Sequence, residues 1–276
     1  MTSGVQFLFT QRFEGQDLQH LKKGTSSAET TVLSFWVRSA KSGTHIVELF
    51  DTDNSRHINK AYTVSSADTW EHKEITIEGD TTGAFTNDVN TSLEVTWHLA
   101  AGSNFTSGTL QTSWGSRTDA NRAVGQVNVL DSTDNNFYLT GIQWEIGSQA
   151  TPFEQRSFGE ELALCQRYFY NHVSNSTGAI VGNGDFFSAS QTTCLINFPV
   201  SMRATPSMIT ENGGTNYYSI YSASVEHTAS NAWNLFLPQV NCANLYITPN
   251  SNGTSGNATR VRTNNASAFI YFDSEL

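Results

Sequence analysis

The chain has 276 residues, of which only 14% are charged, well below the roughly 25% of an average globular protein. Its 15 basic and 25 acidic residues leave a formal net charge of −10, and the only basic run is Lys22-Lys23. This balance argues against nucleic acid or an anionic membrane as partner, since both require clustered Lys and Arg, and no apolar run approaches the ~20 residues of a membrane span.

The length suggests two domains, on a prior of ~150 residues each, and is ample for cores that need neither disulfides nor metal. The opening MTSGVQFLFTQRF lacks the basic and apolar regions of a secretory signal. In TTVLSFWVRS, Leu33, Phe35 and Val37 alternate with Ser34, Trp36 and Arg38, the period of a half-buried strand. HIVELF follows a Ser42-Gly43 turn, and DTDNSRH reads as a polar loop. WEHKEITIEGD is a further strand, stopped by Gly79-Asp80. LEVTWHL alternates cleanly, with Leu93, Val95, Trp97 and Leu99 inward and Glu94, Thr96 and His98 toward water. GQVNVL is expected as a strand too. In the strand from Phe137 to Ile146, Tyr138, Thr140, Ile142, Trp144 and Ile146 share one face, with Trp144 inside. Recurring strands with almost no helical period predict an antiparallel sandwich over residues 1–155.

Gly147, Ser148 and Pro152 end that strand, and Ser157 followed by Glu160 has the spacing of a helix N-cap with its reciprocal Glu. Leu162, Cys165 and Phe169 mark a short amphipathic helix opening the second module, residues 156–276. There TCLINFPV, MRATPSMIT, SIYSASVEH, AWNLFLPQ, NLYITP and AFIYFDSEL are strand candidates, and Asn212-Gly213-Gly214 and Asn252-Gly253 are turns. The expected fold class is all-β, two β-sandwich modules joined by a short helix.

Catalytic and metal chemistry find little support. The histidines at 20, 45, 57, 72, 98, 172 and 227 are single, without zinc-ligand spacing, and read as solvated. Cys165, Cys194 and Cys242 are odd in number and far apart, which reads as buried free thiols. Asp51, Asp53, Asn54 and Ser55 open like a calcium loop but lack its central Gly and terminal Glu, so an Asx-rich turn is the competing reading. No cofactor is expected; a structural calcium is left without ligands. Glu160-Glu161 diverge at a helix start, and Glu71 and Glu74 fall on opposite strand faces, so neither pair suits glycoside hydrolysis, and nothing in the sequence selects a more distant pair. The chain is not expected to be an enzyme.

Carbohydrate binding is better served, because sugars dock on aromatic ring faces while amides and hydroxyls satisfy their edges. Trp36, Trp70, Trp97 and Trp144 lie in strand patterns and are expected in the core. Trp114, in the polar loop LQTSWGSRTD with Arg117 near, is either a sugar platform or a structural plug. Asn54, Arg56 and His57 in DTDNSRH, and Tyr217, Tyr218 and Tyr221 in the second module, complete the candidate set.

Several segments carry a resemblance in order along the chain. These are QRFEGQDLQHLKKGT with LSFWVRS, TLQTSWGSRTDANRAVGQVN, the strand ending Gln143-Trp144-Glu145-Ile146-Gly147 followed by ATPFE and GEELALCQRYF, and INFPVSMRATP with the terminal IYFDSEL. Together they resemble tail-fibre and related virion structural proteins of bacteriophages, especially marine ones. The resemblance implies a carbohydrate-binding-type jelly roll for the first module and a small β-rich terminal domain for the second. It implies a virion protein assembled in the host cytoplasm, with a homotrimer, other virion proteins and host cell-surface polysaccharide as partners. Capsid decoration or baseplate adaptor is the alternative, and a polysaccharide-degrading tailspike a more distant one. Only ten residues precede Gln11, fewer than the family usually carries. Either the sandwich lacks its opening strands, or Val5 to Phe9 supply a strand that pairs with a neighbouring subunit.

Overall fold

Strands dominate the computed structural model, which describes residues 2–210, 216–229 and 232–276. The chain divides into two compact units, Met1–Gln155 with Leu276, and Arg156–Glu275. The Asn212-Gly213-Gly214 turn expected from sequence lies outside the described residues.

The first unit contains β1 (Gln6–Glu14), β2 (Thr31–Ser39), β3 (Gly43–Asp51), β4 (Arg56–Val64), β5 (Glu71–Ile77), β6 (Thr91–Ala101), β7 (Gly115–Ser116) and β8 (Phe137–Ile146). They form an antiparallel five-stranded sheet in the order β1-β6-β3-β4-β7 and a three-stranded sheet in the order β5-β2-β8. The core takes residues from both: Leu33, Phe35 and Val37 of β2 and Ile75 and Ile77 of β5 meet Val47, Leu49, Ile58, Tyr62, Leu93, Val95 and Trp97 of the larger sheet. Phe35 stands edge-on to both Tyr62 and Trp97, with centroids 5.2 and 5.6 Å away. This is a two-layer sandwich, as the alternation predicts.

Four expectations change here. The stretch from Val5 to Phe9 enters β1, which pairs with β6 of its own chain rather than requiring a neighbour. DTDNSRH is a short turn followed at once by β4, a strand whose polar His57 and Asn59 are buried, so its composition hides it. GQVNVL forms no strand; Gln126 instead accepts from Ile46 N–H at 2.6 Å, and Val129–Asp131 make a 3₁₀ turn. In β8 the single face expected for Tyr138 to Ile146 is broken by a bulge. Ser34 pairs with Gln143 but Trp36 with Thr140, so Gly141 and Ile142 oppose one residue. Gly141 has φ +58°, the left-handed conformation such a bulge asks of glycine. The extra residue switches parity: Phe137 and Leu139 pack inward before it and Trp144 after it, while Tyr138 stays outside.

In the second unit, α1 (Phe158–Gln166) is followed by β9 (Phe169–Ser174), β10 (Ile180–Ser188), β11 (Gln191–Asn197), β12 (Ser207–Thr210), β13 (Tyr218–Ser222), β14 (Val225–Thr228), β15 (Asn234–Phe236), β16 (Cys242–Ile247), β17 (Ala258–Thr263) and β18 (Phe269–Asp273). Seven strands order as β14-β13-β17-β10-β11-β16-β15, and three as β12-β18-β9. Phe186, Ile196, Tyr218, Leu245, Val261, Ile270 and Phe272 are among the buried side chains of one core shared by both sheets. Gly184 lets β10 approach β11, because a Cβ there would lie 1.7 Å from the Thr193 carbonyl oxygen. SIYSASVEH is a hairpin rather than one strand, turning at Ala223 and Ser224, both with positive φ.

The helix starts as expected. Ser157 accepts from Glu160 N–H, and Glu160 accepts in return from Ser157 N–H at 3.0 Å. Its amphipathic burial does not follow: no α1 residue is buried, Phe158 is 83% exposed, and Cys165 is exposed rather than buried. Cys194 is buried as expected, and desolvation pushes its thiol up to about 12.

Candidate functional site

The outward positions of the three-stranded sheet build an aromatic face. β2 turns Leu33, Phe35 and Val37 into the core, so Trp36 and Arg38 must point the other way. Trp36 sits in register between His72 on β5 and Thr140 on β8. Its indole lies 5.2 Å from the His72 ring. Arg38 is paired with Tyr138 and holds its guanidinium 5.5 Å from that ring's centroid. Trp70, just before β5, approaches Tyr138 at 6.3 Å. Trp36, Trp70 and Tyr138 are 45, 43 and 46% exposed, which corrects the expectation that Trp36 and Trp70 belong to the core. Charge on the face is balanced. Arg38 Nη2 is 3.7 Å from Asp68 Oδ1, and His72 Nδ1 is 3.5 Å from Glu74 Oε1. The rings thus form a rigid, weakly charged apolar surface edged with hydrogen-bonding groups.

The residues singled out from sequence lie elsewhere: Trp114, Asn54 and Arg56 gather around Lys23, His57 and Arg117 around Glu48, and the three tyrosines are in the second unit. Trp114 is a half-buried plug: it packs against the first core and Nε1 donates to the Glu78 carbonyl at 2.7 Å. Beneath it Lys23, buried, donates to Asp51, to the Thr82 and Gly83 carbonyls at 3.0 and 2.7 Å, and sits 3.1 Å from Asp80 Oδ2. Arg56 forks onto the two oxygens of Asp80 at 2.7 and 3.0 Å. Burial alone would raise the Asp80 pKa, but hydrogen bonds from Arg56, Thr82 and Lys23 hold it below the usual aspartate value. Asn54 donates to the Asp51 carboxylate and to the Ala84 carbonyl. The acidic loop that resembled a calcium opening therefore wraps an ammonium: Asp51 is satisfied by Lys23 and Asn54, and Asp53 by Thr86 N–H at 2.9 Å. Among the described residues no group of three or more His, Cys, Asp and Glu gathers as metal ligands.

His57 and Arg117 belong to a second buried network, on the outer face of the five-stranded sheet. Glu48 lies there with His57 Nδ1 at 3.0 Å, His98 Nε2 at 3.2 Å and Arg122 Nη2 at 2.8 Å. Thr118 N–H donates to His57 Nε2 at 3.4 Å, which assigns the proton shared with Glu48 to Nδ1. Arg117 stacks 4.0 Å above the Phe50 ring. Glu48, His57 and His98 are fully buried because the segment from Phe105 to Val127 roofs this face, so neither His98 nor His57 meets water as expected. His45 and His227 are buried too, the latter in the second unit. Desolvation would raise the Glu48 pKa, yet the hydrogen bonds from His57, His98 and Arg122 outweigh it and hold the carboxyl far below the glutamate range.

In the second unit Tyr218 is buried in the core, with its hydroxyl donating to the Phe269 carbonyl at 3.2 Å. Tyr217 packs partly against that core. Tyr221 is half-buried, under the Arg262 guanidinium at 4.2 Å and donating to Glu226. No family model matches this chain, and no curated protein matches it.

Proposed function

We propose that this chain is a bacteriophage virion structural protein, a tail fibre or similar appendage, that holds host-surface glycan on the aromatic face without transforming it. The observation that carries the reading is the cluster of Trp36, Trp70 and Tyr138, nearly half exposed on a rigid sheet with Arg38 and His72 between them. A chain that leaves two tryptophans and a tyrosine in water on one sheet face holds a ready apolar surface for another molecule. The C–H faces of a sugar ring match such a surface, and the flanking polar groups match its hydroxyls. Nucleic-acid bases also stack on aromatic sheets, but a chain of net charge −10 repels phosphate. Two facing antiparallel sheets, β1-β6-β3-β4-β7 and β5-β2-β8, support a jelly-roll-like sandwich for the first unit. Individual contacts of this kind are weak, and many copies per particle supply avidity.

The test is retention of host envelope polysaccharide by the purified chain, with Trp36→Ala and Tyr138→Ala beside it. Loss of retention in folded variants supports the reading; unchanged retention removes the face from it. The second reading, an architectural capsid or baseplate protein, draws on the same exposed rings as a protein-docking surface. Locating the chain on the particle distinguishes the two, distal for adhesion and proximal for assembly. Release of reducing ends from the polysaccharide would favour the tailspike reading instead.

A further inference from the structure

Lys23, Asp51 and Asp80 meet inside the first unit from three separate segments. Lys23 follows the 3₁₀ turn Gly15–Leu21, Asp51 ends β3 of the larger sheet, and Asp80 follows β5 of the smaller one. Their side chains are only 4, 0 and 3% exposed. Lys23 Nζ donates to Asp51 Oδ2, so the Asp51 carboxyl carbon lies one bond beyond the contact. Asp80 Oδ2 stands 3.1 Å from the same nitrogen, and the rings of Phe85 and Trp114 flank it at 5.1 and 5.5 Å. The Thr82 and Gly83 carbonyls at 3.0 and 2.7 Å complete its shell and fix its position. Asp51 Oδ1 accepts from Asn54 N–H at 3.0 Å and from Asn54 Nδ2 at 3.2 Å. With Arg56 forked onto Asp80, four charges are gathered in one largely dry site, an arrangement that costs desolvation even when every charge is paired.

We propose that Lys23 and Asp51 condense into an intramolecular isopeptide bond, Nζ to Cγ, once the first unit has folded. An amine and a carboxyl in water are solvated and seldom in contact; here the fold supplies the contact and Trp114 and Phe85 exclude the solvent. Asp80, kept ionised by the Arg56 fork, takes one proton from Nζ. The freed lone pair forms the Nζ–Cγ bond, while Asn54 N–H and Nδ2 hold the negative charge that gathers on Oδ1. The Cγ–Oδ2 bond then breaks. Oδ2 leaves as water, carrying the proton lodged on Asp80 and a second one from Nζ. An ammonium and a carboxylate thus become a neutral amide and one water, and nothing is oxidised or reduced. A cavity of about 30 Å³ bordered by Lys23, Asp80 and Trp114 has room for the departing water. In the product the one remaining N–H has the Gly83 carbonyl beside it, and the buried charges fall to the Arg56–Asp80 pair. The bond ties the segment ahead of β2, a strand of the smaller sheet, to the end of β3 in the larger one.

The test is the mass of the full chain, measured unfolded in acid so that ion pairs are broken. The expected mass is below the 30.3 kDa of the sequence by one water, about 18 Da, and digestion should give a branched peptide joining Lys23 to Asp51. Lys23→Met and Asp51→Ala should each show their full sequence masses. Asp80→Asn leaves both joined groups in place and should slow the loss of water after synthesis by roughly tenfold or more. A parent chain that keeps its full sequence mass on long storage would overturn the proposal, and that result needs no variant to fold. Equal loss of water in Lys23→Met would overturn it as well, since the dehydration would then lie elsewhere, as in an aspartyl succinimide. An unchanged rate in Asp80→Asn would overturn the proton route through Asp80.

Discussion

On the outer face of the five-stranded sheet, Glu48, His57 and His98 are sealed beneath a long loop segment, whereas on the outer face of the three-stranded sheet Trp36, Trp70 and Tyr138 stand in solvent. Glu48, His57 and His98, and likewise Trp36 and Tyr138, alternate with core residues along their strands, and Trp70 precedes β5. The first face is polar and needs its cover, because a buried carboxylate is tolerable only while Arg122 and the two histidines satisfy it. The second is covered at its Val32–Ser34 end, where Ser148, Thr151 and Glu154 bond to Thr76, Gln143 and Glu145, and leaves its aromatic rings in solvent at the Trp36–Tyr138 end. Chemistry that usually lies outside is inside, and chemistry that usually lies inside is outside, which is why the aromatic face is read as the surface that meets another molecule.

The comparison breaks most sharply at its buried ends. Glu48→Ala strands the Arg122 guanidinium inside, and urea titration should show a loss of about 3–5 kcal/mol. Trp97→Ala, in the core, should cost a similar ~3–5 kcal/mol, while Trp36→Ala on the same unit should cost under ~1 kcal/mol and instead reduce glycan retention by roughly tenfold or more. Equal stability losses for the two tryptophans would erase the distinction between the faces. Trp114→Ala should fall between, losing about 1–2 kcal/mol for one hydrogen bond and part of its packing, with glycan retention unchanged.

Acid should act on two buried groups of the first unit, His45 beside the core rings Tyr62 and Phe137, and Glu48 beneath the roof. Burial lowers the His45 pKa below its ordinary 6.5, so the unfolded chain takes up protons more readily and stability falls as pH drops below that value. Glu48 is depressed in the folded state, so its contribution is complete above the ordinary glutamate range and is lost as pH falls through and below it. Melting temperature measured from neutral to acid pH should therefore decline in two stages. A Glu48→Gln variant should be less stable at neutral pH and show a shallower second part of the decline, since Asp80 still contributes to it.

Much of the framework was legible in the residues. Leu33-Phe35-Val37 and Leu93-Val95-Trp97 are inward as their period predicts, and the Ser157–Glu160 cap closes as its spacing predicts. The all-β class follows from such segments. The aromatic face was hidden because alternation fixes which residues share a side, not whether that side is covered. Trp36 is expected in the core because it lies in a strand pattern, although that strand sets it on the side opposite Phe35. His98 was given to water by the same period that correctly set Trp97 inside, since the roof over it comes from residues some twenty positions later and no local signal announces it. The bulge at Gly141 is a further limit: a parity switch depends on backbone geometry that glycine permits but does not announce. For the same reason Asn54, Arg56 and His57, neighbours in sequence, divide between two buried networks.

The most direct measurement is equilibrium binding of host envelope polysaccharide to the intact chain and to a Trp36→Ala/Tyr138→Ala double variant, with reducing ends assayed in the same mixtures. Saturable binding by the intact chain, its loss in a double variant that melts normally, and no increase in reducing ends is the predicted result. Equal binding by both proteins, or steady accumulation of reducing ends, would contradict an adhesive aromatic face.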